Sequence, residues 1–369
     1  MKSSALSAPV PALDGLRGVA ILLVLIFHLV ALRPPAATST VSALLLRLAS
    51  AGWAGVDLFF VLSGYLITGL LLDRRGEPGF FRRFWTRRAL RILPLYYLFL
   101  FVLLVALRGT LDGAAGYAEA LSSQRWFWFH LQNWKMLAWS RFPLFDPLRP
   151  LWSLAVEEQF YLVWPALVWW LGPKRLGPLC LALIATASLA RVGLWLWPGN
   201  HSIFGAYVAT PTRLDSLAAG ALLAVLAREE TGLSACAKRA PAVIAATLVL
   251  LLSMFARGML WFTSLNGQLA GVPLLWLLFG ATLVLAVTLP RTHLFVRTLE
   301  TSPLRWTGRV SYGIYLLHLL VLDGLLALWP AIPLPAFYGL GVGLTFLAAA
   351  LSWSLFERPI LGLKARLAP

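Results

Sequence analysis

Charge is what this sequence has least of. Only 12% of its 369 residues are Asp, Glu, Lys or Arg, about half the share that a soluble domain carries. With 60% of its residues hydrophobic, the chain holds more apolar surface than a water-soluble fold hides. No stretch resembles a separate soluble domain. Cysteine is nearly absent as well: Cys180 and Cys236 stand far apart, which excludes a disulfide framework and a cysteine-based metal site. The internal repeat that marks many transporters is missing, and so is a low-complexity tail. What remains is an all-α, polytopic transmembrane helix bundle, read as one domain over residues 1–369.

Long apolar runs are what the sequence has in abundance. Taking about 20 residues per crossing, ten spans are predicted near 14–32, 54–72, 92–110, 151–171, 176–197, 213–227, 241–256, 271–290, 311–330 and 337–356. The two runs at 213–227 and 241–256 are short. Most of the 31 basic residues fall at one side if the N-terminus is cytoplasmic, and the heaviest basic loop, 73–91, then lies inside, as the positive-inside rule requires. Both termini are therefore expected in the cytoplasm. The net charge of +16 is mostly this inner collar, so no nucleic-acid partner is needed to explain it. Met1 and Lys2 before a short apolar core imitate a signal peptide, but Asp14 and Arg17 at its entry favour a retained span.

The polar residues inside these runs carry the functional signal, because ionisable groups in a membrane are costly and mark sites by default. Arg17 and His28 are eleven residues apart. On a helix that returns them to within about 20° of one face, about 16 Å apart along the axis. Asp14 and Arg17 are at i, i+3, so the carboxylate can pair with and orient the guanidinium. His28 is read as catalytic on that polar face; a histidine satisfied by a neighbouring helix is the plainer alternative. Residues 74–91 hold seven arginines and one glutamate. Arg88 and Arg91, at i, i+3, make a fork suited to phosphate oxygens, whereas Arg74, Arg75, Arg82 and Arg83 read as topology and lipid-headgroup contacts.

Further blocks are more ambiguous. Glu157 and Glu158 with Tyr161 open the fourth span. A solvated pair, a bundle salt bridge, and a group that orients His28 or an acceptor hydroxyl all remain open. Ser311, Tyr315 and His318 form an i, i+4, i+7 stripe of the kind that joins helices by hydrogen bonds, as do Arg213 and Asp215. Ser63 and Gly64 suit close helix contact. The outer segment 111–150, with Trp126, Trp128, Trp134 and Trp139, reads as an aromatic interface belt; sugar stacking is the sharper alternative.

Taken in order, LDGLRGVAILLVLIFH, GVDLFFVLSGYLITG, RRALRILPLYY, LWSLAVEEQFYLVWP, RLDSLAAGALLA, SYGIYLLH and FERPI resemble the signature blocks of the acyltransferase-3 family of integral-membrane O-acyltransferases. The resemblance runs from about residue 11 to 362. It places the family's Arg-x10-His motif on Arg17 and His28, and its Arg-x-x-Arg motif on Arg88 and Arg91. It implies a bacterial, multi-pass protein of the inner (cytoplasmic) membrane that takes an acyl group, usually acetyl, from cytoplasmic acyl-CoA. Acetyl-CoA is then a donor substrate rather than a permanently bound cofactor, and no metal is implied. The acceptor is a hydroxyl of a glycan, a lipid-linked sugar or a secondary metabolite, in keeping with polysaccharide modification at the cell envelope. Some relatives carry an extracytoplasmic esterase-like domain after the last span; none is expected here.

Acyl transfer needs a base for the hydroxyl proton and donors for the developing oxyanion. The expected set is therefore His28 as base or acyl relay, Arg17, Asp14 and Glu158 around it, and Arg88 with Arg91 at the CoA phosphates. The competing readings are a transporter or flippase for a lipid-linked sugar, and a non-catalytic sensor or scaffold. Neither consumes acyl-CoA.

Overall fold

A computed structural model describes residues 10–197 and 202–367; Met1 and Lys2, with their signal-like pattern, lie outside them. Among the described residues the secondary structure is helical, with no strand. The main helices are α1 (Pro11–Leu32), α2 (Thr40–Ser50), α3 (Gly55–Asp73), α4 (Phe80–Phe101), α5 (Tyr117–Trp128), α6 (Gln132–Trp139), α7 (Leu151–Leu196), α8 (Thr210–Leu226), α9 (Gly232–Ala256), α10 (Val272–Thr288), α11 (Ser311–Leu328) and α12 (Leu334–Ser352).

Eight helical stretches are long and apolar enough to cross a membrane, against the ten expected. Two differences account for this. The predicted spans 151–171 and 176–197 are both helical and are separated at Gly172, with φ 66° and ψ 175°, but they follow each other so closely that they count as one stretch, Asp146–Leu196. The 213–227 run is the 17-residue helix α8, whose 11 buried residues include Arg213, Asp215 and Ser216. Packing and ion pairing rather than apolar length define that helix. The outward side chains fit hydrocarbon surroundings: Trp170 and Leu355 are each 74% exposed and Leu162 is 68% exposed.

The chain divides into two compact units. The first comprises the described part of Met1–Ala20 with Ala54–Phe80 and Val163–Arg309. Its closest packing is between α3 and α8. A Cβ on Gly64 would lie 1.9 Å from the Leu217 carbonyl oxygen, and one on Gly220 would lie 2.0 Å from that of Val61. Each glycine thus admits the other helix's backbone, the close contact expected of Gly64. Beside this crossing Arg213 pairs with Asp57 at 2.5 Å, both fully buried, and its guanidinium lies 5.4 Å from the rings of Phe60 and Tyr207. Arg191 pairs with Asp215 at 2.6 Å. These charges tie helices together, the structural role read for Arg213 and Asp215.

Arg75 has a more specific place than the lipid headgroups. It donates to the carbonyls of Val168 (3.2 Å) and Trp169 (3.1 and 2.8 Å), just before the Gly172 turn. The last carbonyls of a helix lack intrahelical partners, and Arg75 supplies them.

The second unit comprises Ile21–Trp53, Phe81–Leu162 and the described part of Val310–Pro369. Leu25 and Leu29 of α1 pack with Leu319 and Leu322 of α11, together with Ile332 and Phe337. That core holds α1 and α11 side by side. A π-helical turn at Trp353–Glu357 follows α12 and buries Glu357, which accepts from Ser352 Oγ at 2.9 Å.

Breaking a buried pair by removing one partner strands a charge, at a cost of about 3–5 kcal/mol. Asp57→Ala is expected to destabilise the detergent-purified protein by that amount, and Gly64→Ala by about 1–3 kcal/mol through overpacking. Equilibrium unfolding checks both. Values below about 0.5 kcal/mol would contradict the packing described.

Candidate active site

His28 lies in the last turns of α1. Its Nδ1 is 2.9 Å from the Val24 carbonyl oxygen and 3.1 Å from His318 Nε2, with the two rings 4.7 Å apart. His318 is fully buried, and its Nδ1 lies 2.7 Å from the Tyr315 carbonyl oxygen and 3.1 Å from that of Ile314. A carbonyl only accepts, so His318 Nδ1 carries a proton. His28 Nδ1 also faces a carbonyl, that of Val24, and therefore donates. His318 Nε2 is then left as acceptor for His28 Nδ1–H. This assignment follows from the hydrogen-bond partners. It leaves His28 Nε2 with an unshared lone pair, and no hydrogen bond among the described residues occupies it.

The same helix α11 fixes a neighbouring segment. Tyr315 Oη contacts the Pro150 carbonyl oxygen at 3.0 Å and Ser153 Oγ at 2.5 Å, clamping the start of α7. Tyr312 donates to the Ile92 carbonyl at 2.8 Å. The Tyr315–His318 part of the predicted stripe therefore joins helices, as expected, and in addition supports the catalytic candidate His28. That contact spans 290 residues of sequence, beyond the reach of any local pattern.

Arg87, Arg88 and Arg91 lie within α4. The Arg88 guanidinium lies 5.1 Å from the Tyr161 ring, and the charges acting on it are those of Arg91, Glu157 and Glu158. Glu158 has a buried Oε1 without a hydrogen-bond partner. Its surroundings are Arg88, Glu157 and the tyrosines Tyr96, Tyr97 and Tyr312, whereas the groups acting on His28 are His318, Val24 and Arg149. Beyond the last span, burial and the neighbouring Arg91, Arg88 and Arg87 push the Lys364 ammonium down to about 8. Lys364 was not singled out by sequence: it falls after the family blocks, in a tail where a lone lysine signals only topology.

Asp14 and Arg17 belong to the first unit. Arg17 Nη1 donates to Asp14 Oδ1 at 3.3 Å, the i, i+3 pairing expected from their spacing. One uninterrupted helix, α1, carries Asp14, Arg17 and His28.

The segment 111–150 is not merely an interface belt. It folds into α5 and α6, whose buried residues include Ser123, Phe127, Gln132, Asn133 and Met136. Trp134 donates to Gln159 Oε1 at 3.2 Å, and Trp128 stacks on Tyr97 at 6.0 Å. Arg141 pairs with Glu119, which holds the Glu119 carboxyl below its ordinary range. Periodicity missed this cap because its helices are short and their buried residues are partly polar. Among the described residues no group of three or more His, Cys, Asp or Glu is placed to hold a metal ion.

Comparison with known proteins gives this arrangement a family. Residues 10–354 match the model of an acyltransferase domain, a stretch that contains His28, His318 and the Arg88–Arg91 fork. Peptidoglycan O-acetyltransferase OatA of Listeria monocytogenes is 30% identical over 380 residues, covering 95% of this chain and 56% of that protein. YrhL of Bacillus subtilis is 31% identical over 367 residues, covering 95% and 55%. O-acetyltransferase OatA of Staphylococcus aureus is 29% identical over 370 residues, covering 95% and 57%. The chain spans about half the length of these relatives, and no solved structure matches it significantly. The match over nearly the whole chain agrees with the ordered sequence blocks, and the chain belongs to the acyltransferase-3 family of membrane proteins.

Proposed function

We propose that this protein is a membrane O-acyltransferase that moves an acyl group, acetyl foremost, from cytoplasmic acyl-CoA to a hydroxyl of an envelope glycan. Relatives named as peptidoglycan O-acetyltransferases make a peptidoglycan-type acceptor the first to test. The protein would sit in the bacterial cytoplasmic membrane with both termini inside. The observation that carries the reading is the free Nε2 of His28, set by the contacts of Nδ1 with Val24 and His318.

In the direct route His28 Nε2 removes the acceptor hydroxyl proton as the oxygen attacks the thioester carbonyl. The tetrahedral oxyanion then collapses, the C–S bond breaks, and the CoA sulfur takes the proton from Nε2. In the relay route the same nitrogen attacks the thioester carbonyl first and the C–S bond breaks, releasing CoA as thiolate. The acceptor oxygen then attacks the acyl-imidazolium, the N–C bond breaks, and the hydroxyl proton goes to the thiolate. Both routes place positive charge on the imidazole, and His318 Nε2 stabilises it by accepting from Nδ1–H. Arg17, oriented by Asp14, supplies positive charge for the oxyanion or a CoA phosphate. Arg88 and Arg91 hold the CoA phosphates, with Lys364 as a third cation. Glu158 positions Arg88 against the tyrosine cluster.

General-base catalysis contributes about 10²–10⁴-fold. Transfer of label from acetyl-CoA to glycan in membrane vesicles should therefore fall at least that far in His28→Ala, with folding and CoA binding intact. His318→Asn keeps a donor for the turn carbonyls but no acceptor for His28, and His318→Gln does the reverse. The Gln variant should be about tenfold or more the faster, the worth of a hydrogen bond to a charged group. Wild-type rates in His28→Ala, or Asn faster than Gln, would contradict the assignment.

CoA binding tests the cationic site. Arg88→Gln with Arg91→Gln should abolish saturable binding. Lys364 is charged below about pH 8 and an anion favours its charged form. Affinity should thus be level below that pH and weaken above it, and Lys364→Met should remove the dependence. Calorimetry across pH 6–10 reads both. Unchanged binding by the double variant would remove the donor site from this location.

A further inference from the structure

His130, between α5 and α6, departs from two rules at once. Its φ is 54°, a left-handed conformation uncommon outside glycine, although histidine enters it more readily than most residues. Its side chain is buried at 9% exposure, yet neither Nδ1 nor Nε2 has a hydrogen-bond partner. Buried polar atoms are nearly always paired, and an exception needs an explanation. Two residues on, Gln132 is fully buried. Its Nε2 donates to the Leu151 carbonyl at 2.6 Å, while its Oε1 has no partner.

The fold supplies no reason for an imidazole here. The ring stacks on Tyr96 at 4.2 Å and 25° and meets Tyr97 edge-on at 5.9 Å, contacts that a phenylalanine makes equally well. Hydrogen bonds set this conformation of the turn. Gln159 Nε2 donates to the His130 carbonyl at 2.8 Å and to Asn133 Oδ1 at 3.0 Å. Tyr96 donates to the Phe127 carbonyl at 2.8 Å. A left-handed backbone and unpaired ring nitrogens at one buried residue are the marks of a site kept for a ligand.

The unpaired atoms define the ligand's chemistry. Burial pushes the His130 imidazole down to about 4, so at neutral pH it offers one N–H donor and one lone pair. Gln132 Oε1 adds an acceptor. One donor and two acceptors without charge suit hydroxyl groups, each of which both donates and accepts. An anion would need more donors or a cation.

We propose that His130 and Gln132 form the acceptor subsite for a neutral sugar ring, whose hydroxyls hydrogen-bond to the two ring nitrogens of His130 and to Gln132 Oε1. The proposal rests on the acyltransferase reading and gives it a second substrate site. The nitrogens are closed to solvent in this conformation, so entry requires the Phe129–Leu131 turn to move. Its flanking residues already lie at the surface, Phe129 being 74% exposed and Leu131 39%.

The test compares wild type, His130→Phe and His130→Asn by three readouts: thermal midpoint in detergent, CoA binding, and transfer of labelled acetyl from acetyl-CoA to carbohydrate in vesicles of the native host. Phenylalanine keeps the ring packing and removes the unpaired nitrogens, so its midpoint should equal or exceed that of wild type. Its transfer should drop about 10–100-fold, the discrimination expected where hydroxyl partners are lost, with CoA binding unchanged. Asparagine tolerates the left-handed backbone and keeps a donor and an acceptor, so it should transfer faster than phenylalanine per folded, CoA-binding molecule. Transfer by His130→Phe at the wild-type rate, or at or above that of His130→Asn, overturns the subsite. Wild type that binds CoA but transfers nothing overturns the acyltransferase reading itself, and this inference with it.

Discussion

The hydrogen bond between His28 Nδ1 and His318 Nε2 at 3.1 Å is the contact on which the proposed chemistry depends. Two ring nitrogens that close share one proton, and the carbonyls of Val24, Ile314 and Tyr315 decide which ring supplies it. The result is a histidine held in one tautomer, with Nε2 free. Inside a membrane this matters more than in water, because an imidazole without fixed partners has no solvent to satisfy it. The leucines of α1 and α11 pack against one another and so hold together the two helices that carry this pair.

Charge is distributed in the same economical way. In the first unit the buried pairs Arg213–Asp57 and Arg191–Asp215 are mutually neutralised and serve helix packing beside the Gly64–Gly220 crossing. In the second unit Arg87, Arg88, Arg91 and Lys364 act on one another, with Glu158 and Glu357 as the neighbouring carboxylates. An excess of positive charge at one place costs stability through repulsion, and a polyanionic ligand such as the CoA phosphates relieves it.

Much of this was legible in the sequence. The apolar runs gave the helical membrane class, and helical spacing put Asp14 with Arg17 and grouped Arg88 with Arg91. Periodicity failed where tertiary contacts decide the outcome. The helix α8 is only 17 residues long and buries its charged residues, whereas the boundary between the spans 151–171 and 176–197 falls at Gly172 as expected, under an arginine cap from Arg75 that no local pattern shows. His318 was visible as part of a polar stripe, but its partner lies on the first helix of the chain. His130 carried no motif at all, since its distinction is a backbone angle and the absence of partners.

The central claim is that His28 is held with its proton on Nδ1 and its lone pair on Nε2. Nitrogen-15 NMR of histidine-labelled protein in bilayers at neutral pH, with the His28 signals identified by their loss in His28→Ala, tests it directly. The account predicts a protonated Nδ1 and an unprotonated Nε2, with a coupling or contact from Nδ1–H to the His318 ring. A proton on Nε2 with a bare Nδ1 would contradict it, because the nitrogen meant to react would no longer be a base.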